Sequence, residues 1–390
     1  MSPLSPMPDD ARMYPIFADA GLGEDVFNPR QHLSCELVEL YVLRLAVQLV
    51  ETLGLAPALA EPRATDEVLA LRGFAPGFRA ALGWLLERLA VAGLLVREGG
   101  AAQVRYRLSA PLPEPDLVAA RAEALANDPS YAPTYAMLDE AAAAYAKVAS
   151  GETSGERALF QKLSLWVAYF SNSNGYYALN NHVGAAAAAA RLPSAGGRVL
   201  EVGAGLGSAT EALLDRLAGN GRDLAGYRVT EPVLAFRRRA ERNLTAAYRD
   251  VPLAFAALDV NQPWAAQGVV PGSFDLIWGV NVFHLARRLE DVLAEARIAL
   301  APGGWLVIGE GMRPAADRVV GAEFPFQLLD SFLDVELDPV RRPMPGFLSA
   351  EHWCRALAAA GFSAIAVAPD VARLLEIYPG FFAAAVCGQR

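Results

Sequence analysis

Leu200-Glu201-Val202-Gly203-Ala204-Gly205-Leu206-Gly207-Ser208-Ala209-Thr210 is the stretch on which the reading of the fold turns. Residues 198–202 alternate as a short strand and run into glycines at 203, 205 and 207, after which a helix begins. Glycines at such a turn permit left-handed backbone and let the main chain approach a ligand closely. The helix beyond them offers unpaired amide donors and the positive end of its dipole. The dinucleotide fingerprint G-x-G-x-x-G is broken, because Ser208 stands where its last glycine belongs.

Outward from this turn, strand and helix alternate. Strands are expected at 226–230, 253–258, 274–278 and 305–308, with helices between them, such as 289–300. That alternation predicts an α/β fold with a parallel sheet and right-handed crossovers. Residues 364–367 and 382–386 supply two more strands, the last without a following helix. Acids close the early strands: Glu201 after the first, Glu231 after the second and Asp259 after the third. The carboxyl edge of an open parallel sheet is where such folds bind ligands, and an acid after the second strand is placed to chelate a diol. After the fourth strand comes Asn281-Val282-Phe283-His284, and Glu310 ends the fifth. An imidazole there suits proton removal near neutral pH, and a carboxylate on one ring nitrogen makes the other more basic.

The first third of the chain reads differently. Residues 1–30 carry Pro3, Pro6, Pro8, Pro15 and Pro29 and are expected to drape over a neighbour. Helices are expected from Glu36 to Gly54, after Thr65 as N-cap, and over 76–92, followed by two short strands around Gly99-Gly100. Three helices and a hairpin make a winged-helix pattern. Residues 36–110 nevertheless hold eight arginines and eight acids, with no basic stripe, which argues against DNA reading and for packing or dimerisation. Helical stretches at 116–149 and 157–170 follow.

The 390 residues are 54% hydrophobic and 20% charged, with a net charge of −9, so a disordered chain and a general nucleic-acid binder are both disfavoured. Cys35, Cys354 and Cys387 are odd in number and scattered, and no metal-ligand spacing appears. The longest small-apolar run, 183–190, is far below the ~20 residues of a bilayer span. With no secretory or transit pattern at the start, a cytoplasmic location is expected, with no membrane partner.

The residues from Leu200 to Thr210, with Glu231, Asp259, the run Gly272-Ser273-Phe274-Asp275-Leu276-Ile277 and the run Leu300-Ala301-Pro302-Gly303-Gly304-Trp305-Leu306, resemble the successive motifs of class I S-adenosylmethionine-dependent methyltransferases. The resemblance covers about residues 160–390 and implies a Rossmann-like seven-stranded sheet with the last strand antiparallel. It implies S-adenosyl-L-methionine as cofactor, held by Glu201, Gly203, Gly205, Gly207, Glu231, Asp259, Val260, Gly279 and Tyr177. Glu231 would face its ribose and Asp259 its adenine. The start of the chain is similar to the winged-helix dimerisation region of small-molecule O-methyltransferases. In that group a base histidine occupies the place of His284 and is followed by Asp-Trp, where this chain has Leu285-Ala286. The stretch 259–310 is instead similar to C-methyltransferase domains of polyketide synthases, which pair a histidine and a glutamate in the places of His284 and Glu310.

The expected organisation is therefore 1–110 as a helical, winged-helix-like dimerisation domain, 111–195 as a helical linker and lid, and 196–390 as the methyltransferase domain. The expected catalytic residues are His284 as base and Glu310 in support. Asn281, Phe324, Phe326, Met344 and Phe347 are expected around a small natural-product acceptor, free or carrier-bound. Arg313, Arg341 and Arg342 are candidates to pair a substrate carboxylate. Oxygen is the expected methyl acceptor, on the strength of the N-terminal region. The alternatives are carbon methylation of a β-keto acceptor by the His284/Glu310 pair and a cofactor-binding cyclase or pericyclase. A homodimer is expected.

Overall fold

The computed structural model describes residues 10–100, 104–194 and 196–390. Its contacts divide them into two compact units, each discontinuous in sequence: one of residues 30–169 and 317–333, the other of residues 10–29, 170–316 and 334–390.

The first unit is helical. Its long helix, Pro29–Thr52, starts seven residues before the apolar periodicity suggests, with proline at the first helical position, where the missing N–H costs nothing. The next helix, Thr65–Arg72, takes Thr65 as its first residue and Ala64 as its cap; the Glu67 carboxylate accepts from the Ala64 amide at 2.8 Å. A single turn at Pro76–Phe78 leads into helix Arg79–Val91. Strands β1 (Leu95–Glu98) and β2 (Arg105–Leu108) then pair antiparallel; residues 101–103 of their expected turn lie outside the described residues. The helical stretch expected over 116–149 consists of two helices, Leu117–Asn127 and Ala132–Ala149, parted at Asp128-Pro129. The expected helix 157–170 likewise divides into Gly155–Phe160 and Leu163–Tyr169.

The second unit is built on a seven-stranded sheet. Its strands are β3 (Gly197–Glu201), β4 (Leu224–Thr230), β5 (Leu253–Ala256), β6 (Phe274–Val280), β7 (Leu300–Gly311), β8 (Ser363–Ala368) and β9 (Ala383–Gln389), in the order β5-β4-β3-β6-β7-β9-β8. Strands β3 to β7 run parallel, and β9 is antiparallel to both its neighbours. The order reverses between β3 and β6, so the carboxyl ends of these two strands open a crevice at the point where such sheets bind ligands.

Apolar side chains cover one face of the sheet. Leu200, Ile277, Leu306, Ile308 and Val386 pack with Val292, Leu293 and Ala296 of helix Leu289–Ala299 and with Trp353 and Leu357 of helix Ala350–Ala359. Helix Gly175–Arg191 lies on β6, β7 and β9 and approaches closely because two glycines meet there. A Cβ on Gly184 would come within 3.0 Å of Val280, and one on Gly309 within 3.2 Å of the Gly184 Cα. This brings the start of that helix, Tyr176 to Asn181, over the carboxyl edge of the sheet.

Within residues 10–29, expected to drape over a neighbour, a helix forms, Asp10–Asp19, that carries Pro15 inside it. Its apolar side is buried: Phe17 meets Phe27 at 5.0 Å, and Phe27 stacks on Tyr378 at 6.2 Å. Pro3, Pro6 and Pro8 lie outside the described residues. Among the described residues no helix is long and apolar enough to cross a membrane.

Candidate active site

The glycine loop follows β3 directly. Its amides are tied to the neighbouring strand ends, Val202 to the Trp278 carbonyl and Ala204 to the Thr230 carbonyl, each at 2.8 Å. Gly203 has φ of +64°, and a Cβ there would lie 2.4 Å from Val282, so both conformation and space exclude a side chain. At Gly205, φ is +56° and nothing lies within 4 Å of where a Cβ would stand, which leaves a cradle open above the loop. Gly207 closes the turn before helix Ser208–Gly219.

Glu231 shapes this cradle from the end of β4. One carboxylate oxygen accepts from the Gly205 amide at 2.9 Å and the other from the Val233 amide at 2.8 Å. Each oxygen keeps a further lone pair. Burial raises the Glu231 carboxyl, and the two amide bonds oppose that shift. Glu201 is fully buried beneath the loop. Its Oε2 accepts from Thr210 at 2.7 Å and Tyr227 at 2.5 Å, while Oε1 is buried with no partner. Burial, opposed by those two hydroxyls, pushes its carboxyl up to about 7. An unsatisfied buried acceptor beneath an open cradle calls for a donor from a bound molecule.

The sequence reading places Asp259 at the end of a strand, yet β5 stops at Ala256. Leu258 turns into the core, and exposed Asp259 follows on a loop clamped by the Gln267 side chain, which bonds its backbone at 2.8 and 2.9 Å. The neighbouring Val260 carbonyl accepts from Trp264. Gly279 of β6 sits where a Cβ would lie 2.6 Å from the Val202 carbonyl.

The second cluster stands at the ends of β6 and β7. His284 lies in the turn Phe283–Leu285, and its Nδ1 is 2.6 Å from Glu310 Oε2. Glu310 Oε1 accepts the amides of Val282, Phe283 and His284 at 3.1, 2.8 and 3.3 Å. One carboxylate thus holds both the ring and the backbone that carries it. Both side chains are buried. A carboxylate partner makes Nδ1 the protonated nitrogen, which assigns the ring lone pair to Nε2. Phe347 packs edge-on against the imidazole at 5.0 Å.

Asn281 takes a left-handed conformation, φ +54°, at the exit of β6. Its Oδ1 accepts from the Gly311 amide at 2.8 Å, buckling β6 to β7, and its side chain bonds the Tyr177 phenol. Burial pushes that phenol up, against the Asn281 bond. Met344 packs at the margin of the apolar core. Phe324 and Phe326, expected beside Phe347, belong to the helical unit: Phe324 stacks on Tyr145 at 4.9 Å, and Phe326 meets Phe332 at 5.6 Å. Arg341 is occupied by Asp338 at 2.6 Å. Arg342, read as a partner for a substrate carboxylate, is instead turned inward onto the carbonyls of His284 and Ala286. Thr210, Tyr227 and Trp278, which complete the Glu201 network, escape sequence reading because each looks like an ordinary strand or helix residue.

With this geometry in hand, residues 200–306 match the methyltransferase domain family. The chain is 34% identical over 176 residues to the highly reducing polyketide synthase valA of Aspergillus terreus, a match covering 43% of this chain and 7% of that protein. It is 28% identical over 240 residues to polyketide synthase ThaG of Burkholderia thailandensis, covering 60% of this chain and 4% of that one. The chain therefore spans under a tenth of the length of these curated relatives. Among solved structures, the CurJ carbon methyltransferase matches with a TM-score of 0.78 at 24% identity, covering 97% of each chain. The citrinin polyketide synthase CMeT domain matches with a TM-score of 0.70 at 19% identity, covering 99% of each.

The match over residues 200–306, set on this sheet order and glycine loop, gives the chain a methyltransferase domain of the S-adenosylmethionine-dependent class, and so makes it an enzyme. Its likeness within that class is to the methyltransferase domains of polyketide synthases.

Proposed function

We propose that this chain methylates carbon, at the position between the two carbonyls of a polyketide-like β-keto acceptor, with His284 as general base. The observation that carries the proposal is the buried His284–Glu310 pair, 2.6 Å apart, with Glu310 also bonded to three amides of the histidine's own turn. Such a base is wanted where the proton must leave carbon before the new bond forms. A carboxylate acceptor is already ionised at neutral pH and needs no base. The case for oxygen rests on the N-terminal region, and that region lies within the whole-chain fold match to carbon methyltransferases, so it no longer favours oxygen.

S-adenosylmethionine, when bound, supplies an electrophilic methyl group on a sulfonium. Glu231 offers two carboxylate oxygens to the ribose hydroxyls, and the loop at Gly203 and Gly205 leaves room for the amino-acid part. The unpartnered Glu201 Oε1 offers an acceptor beneath the same loop. Gly207, Gly279, Tyr177 and Val260 border this region, and Asp259 stands further out as the candidate for the adenine. His284 Nε2 takes the proton from the acceptor carbon, and Glu310 offsets the charge the ring then carries. Phe347 keeps water from the ring's flank. In alignment of this kind most of the rate comes from positioning and proton removal.

The test is incubation with S-adenosylmethionine bearing a labelled methyl and a β-keto thioester on a pantetheine mimic. A product with a carbon–carbon methyl doublet in its proton spectrum is expected. A methoxy singlet would return the reading to oxygen, and a rearranged product without label would point to a cyclase.

A further inference from the structure

Arg342 is a charged side chain that is 1% exposed, on a hairpin closed by an antiparallel bridge from Asp338. Its backbone is fixed by a two-way bond with Asp338, amide to carbonyl at 2.9 and 2.8 Å. Asp338 in turn caps the Val340 and Arg341 amides and pairs the Arg341 guanidinium, so the hairpin is rigid. From it the Arg342 guanidinium donates to the carbonyls of His284 and Ala286. These carbonyls end the turn whose starting amides, at 282 to 284, are taken by Glu310. The histidine's turn is therefore gripped by an anion at its amino end and a cation at its carboxyl end, the arrangement that opposes neither end of a helical dipole.

We propose that Arg342 is a positioning residue of the methyl-transfer site: it fixes the turn that carries His284 and, by its charge, keeps the ring in its proton-accepting state. This rests on His284 being the base. Burial lowers the guanidinium to about 10, which leaves it cationic at neutral pH. Glu310 from β7 and Glu290 from helix Leu289–Ala299 act on the guanidinium, and Phe347 packs edge-on against the imidazole. Glu310 draws a proton onto the imidazole, and Arg342 is the cation that opposes it. Without that cation the ring holds its proton more tightly, and less of the enzyme is competent at a given pH.

The experiment compares wild type with Arg342→Gln, which keeps donors and loses the charge, and Arg342→Lys, which keeps the charge and alters the fork. Two readouts are taken: the acid limb of the kcat–pH profile, and the histidine ring titration followed by NMR in protein without acceptor. The chain has four histidines, and His284→Gln identifies the relevant signal. Arg342→Gln should move both midpoints up by about one unit, a tenfold change in proton affinity, with KM near wild type. Arg342→Lys should leave the midpoints in place and lower kcat severalfold. A folded Arg342→Gln with unmoved midpoints overturns the proposal, as does an Arg342→Lys that moves them equally; if Arg342→Gln does not fold, the lysine variant alone decides. Full activity in His284→Gln would instead sink the base assignment, whatever the arginine variants do.

Discussion

Glu310→Gln is the substitution that bears hardest on the active-site chemistry. The change is nearly isosteric, so the core around a fully buried position is left intact. The amide oxygen can still accept from the Val282, Phe283 and His284 amides that Glu310 Oε1 accepts now. On the other side, an NH2 group would face His284 Nδ1, where the carboxylate oxygen now sits 2.6 Å away. Two donors cannot share that contact, so Nδ1 must give up its proton and become the acceptor. The ring proton then resides on Nε2, and the nitrogen that should take a proton from the acceptor already holds one. A wrong-tautomer substitution of this kind costs about 10⁴ in kcat in a serine protease whose histidine is oriented by a carboxylate. The stability cost is smaller, roughly 1.5–3 kcal/mol for charge-assisted bonds made weaker. Single-turnover methyl transfer at pH 8 with saturating cofactor measures the first, and denaturant unfolding the second. A loss of about four decades in rate with cofactor affinity unchanged is expected. A rate within tenfold of wild type would refute the tautomer argument, and with it the assignment of Glu310 as the ring's orienting group.

Other expectations follow from the cofactor side. Glu231→Ala removes both oxygens that hold the loop and that are proposed to take the ribose, and isothermal titration should show cofactor binding weakened by about 1.5–3 kcal/mol, with kcat at saturation little changed. An unchanged dissociation constant would remove Glu231 from the site. Gly203→Ala forces a Cβ to within 2.4 Å of Val282 at a positive φ, so it should lower the melting temperature and abolish measurable cofactor binding; normal affinity would show that the loop is not the cradle. Glu201 has a carboxyl raised to about 7 in the folded protein against 4.5 for an ordinary glutamate, so the native state binds the extra proton between those values. Its contribution is therefore present below pH 4.5 and is lost as pH rises through 7, on the order of 3 kcal/mol in all. Glu201→Gln should escape that loss and gain on wild type between pH 5 and pH 8 in urea unfolding, whereas parallel curves would show that Glu201 does not titrate in this range.

The sheet was legible because its strands are short, apolar and punctuated by glycine or acid, and each of the seven expected strands overlaps an observed one. What sequence alone obscures is continuity. β7 reaches back to Leu300, which pairs with Phe274, and the Ala-Pro-Gly-Gly segment then bulges before pairing resumes with Trp305 beside Leu276. The amino-terminal helix was hidden by Pro15, which reads as a break, and by an apolar set (Met13, Ile16, Phe17) too short to show a period. At the site, His284 and Glu310 could be read because each stands at a strand end, where a polar side chain is conspicuous. Phe324 and Phe326 are harder to read because aromatic side chains signal burial and ligand contact equally well; here they pack on Tyr145 and Phe332.

Arg342 shows where such reading stops in physical terms. In sequence it is one of two adjacent arginines, and arginines are mostly solvated. Nothing local tells which of the pair turns inward. The decision is made by the two-way backbone bond between Asp338 and Arg342 together with the Asp338–Arg341 pair, which hold residue 341 outside and commit residue 342 to the interior. There it meets carbonyls that a 3₁₀ turn leaves unsatisfied at its end, and a buried carbonyl without a donor is costly. The same turn leaves its amides open at the other end, and a glutamate from the adjacent strand closes them. His284 is thus fixed by meeting the ordinary needs of a short helical turn, with charged groups taking the place of neutral caps.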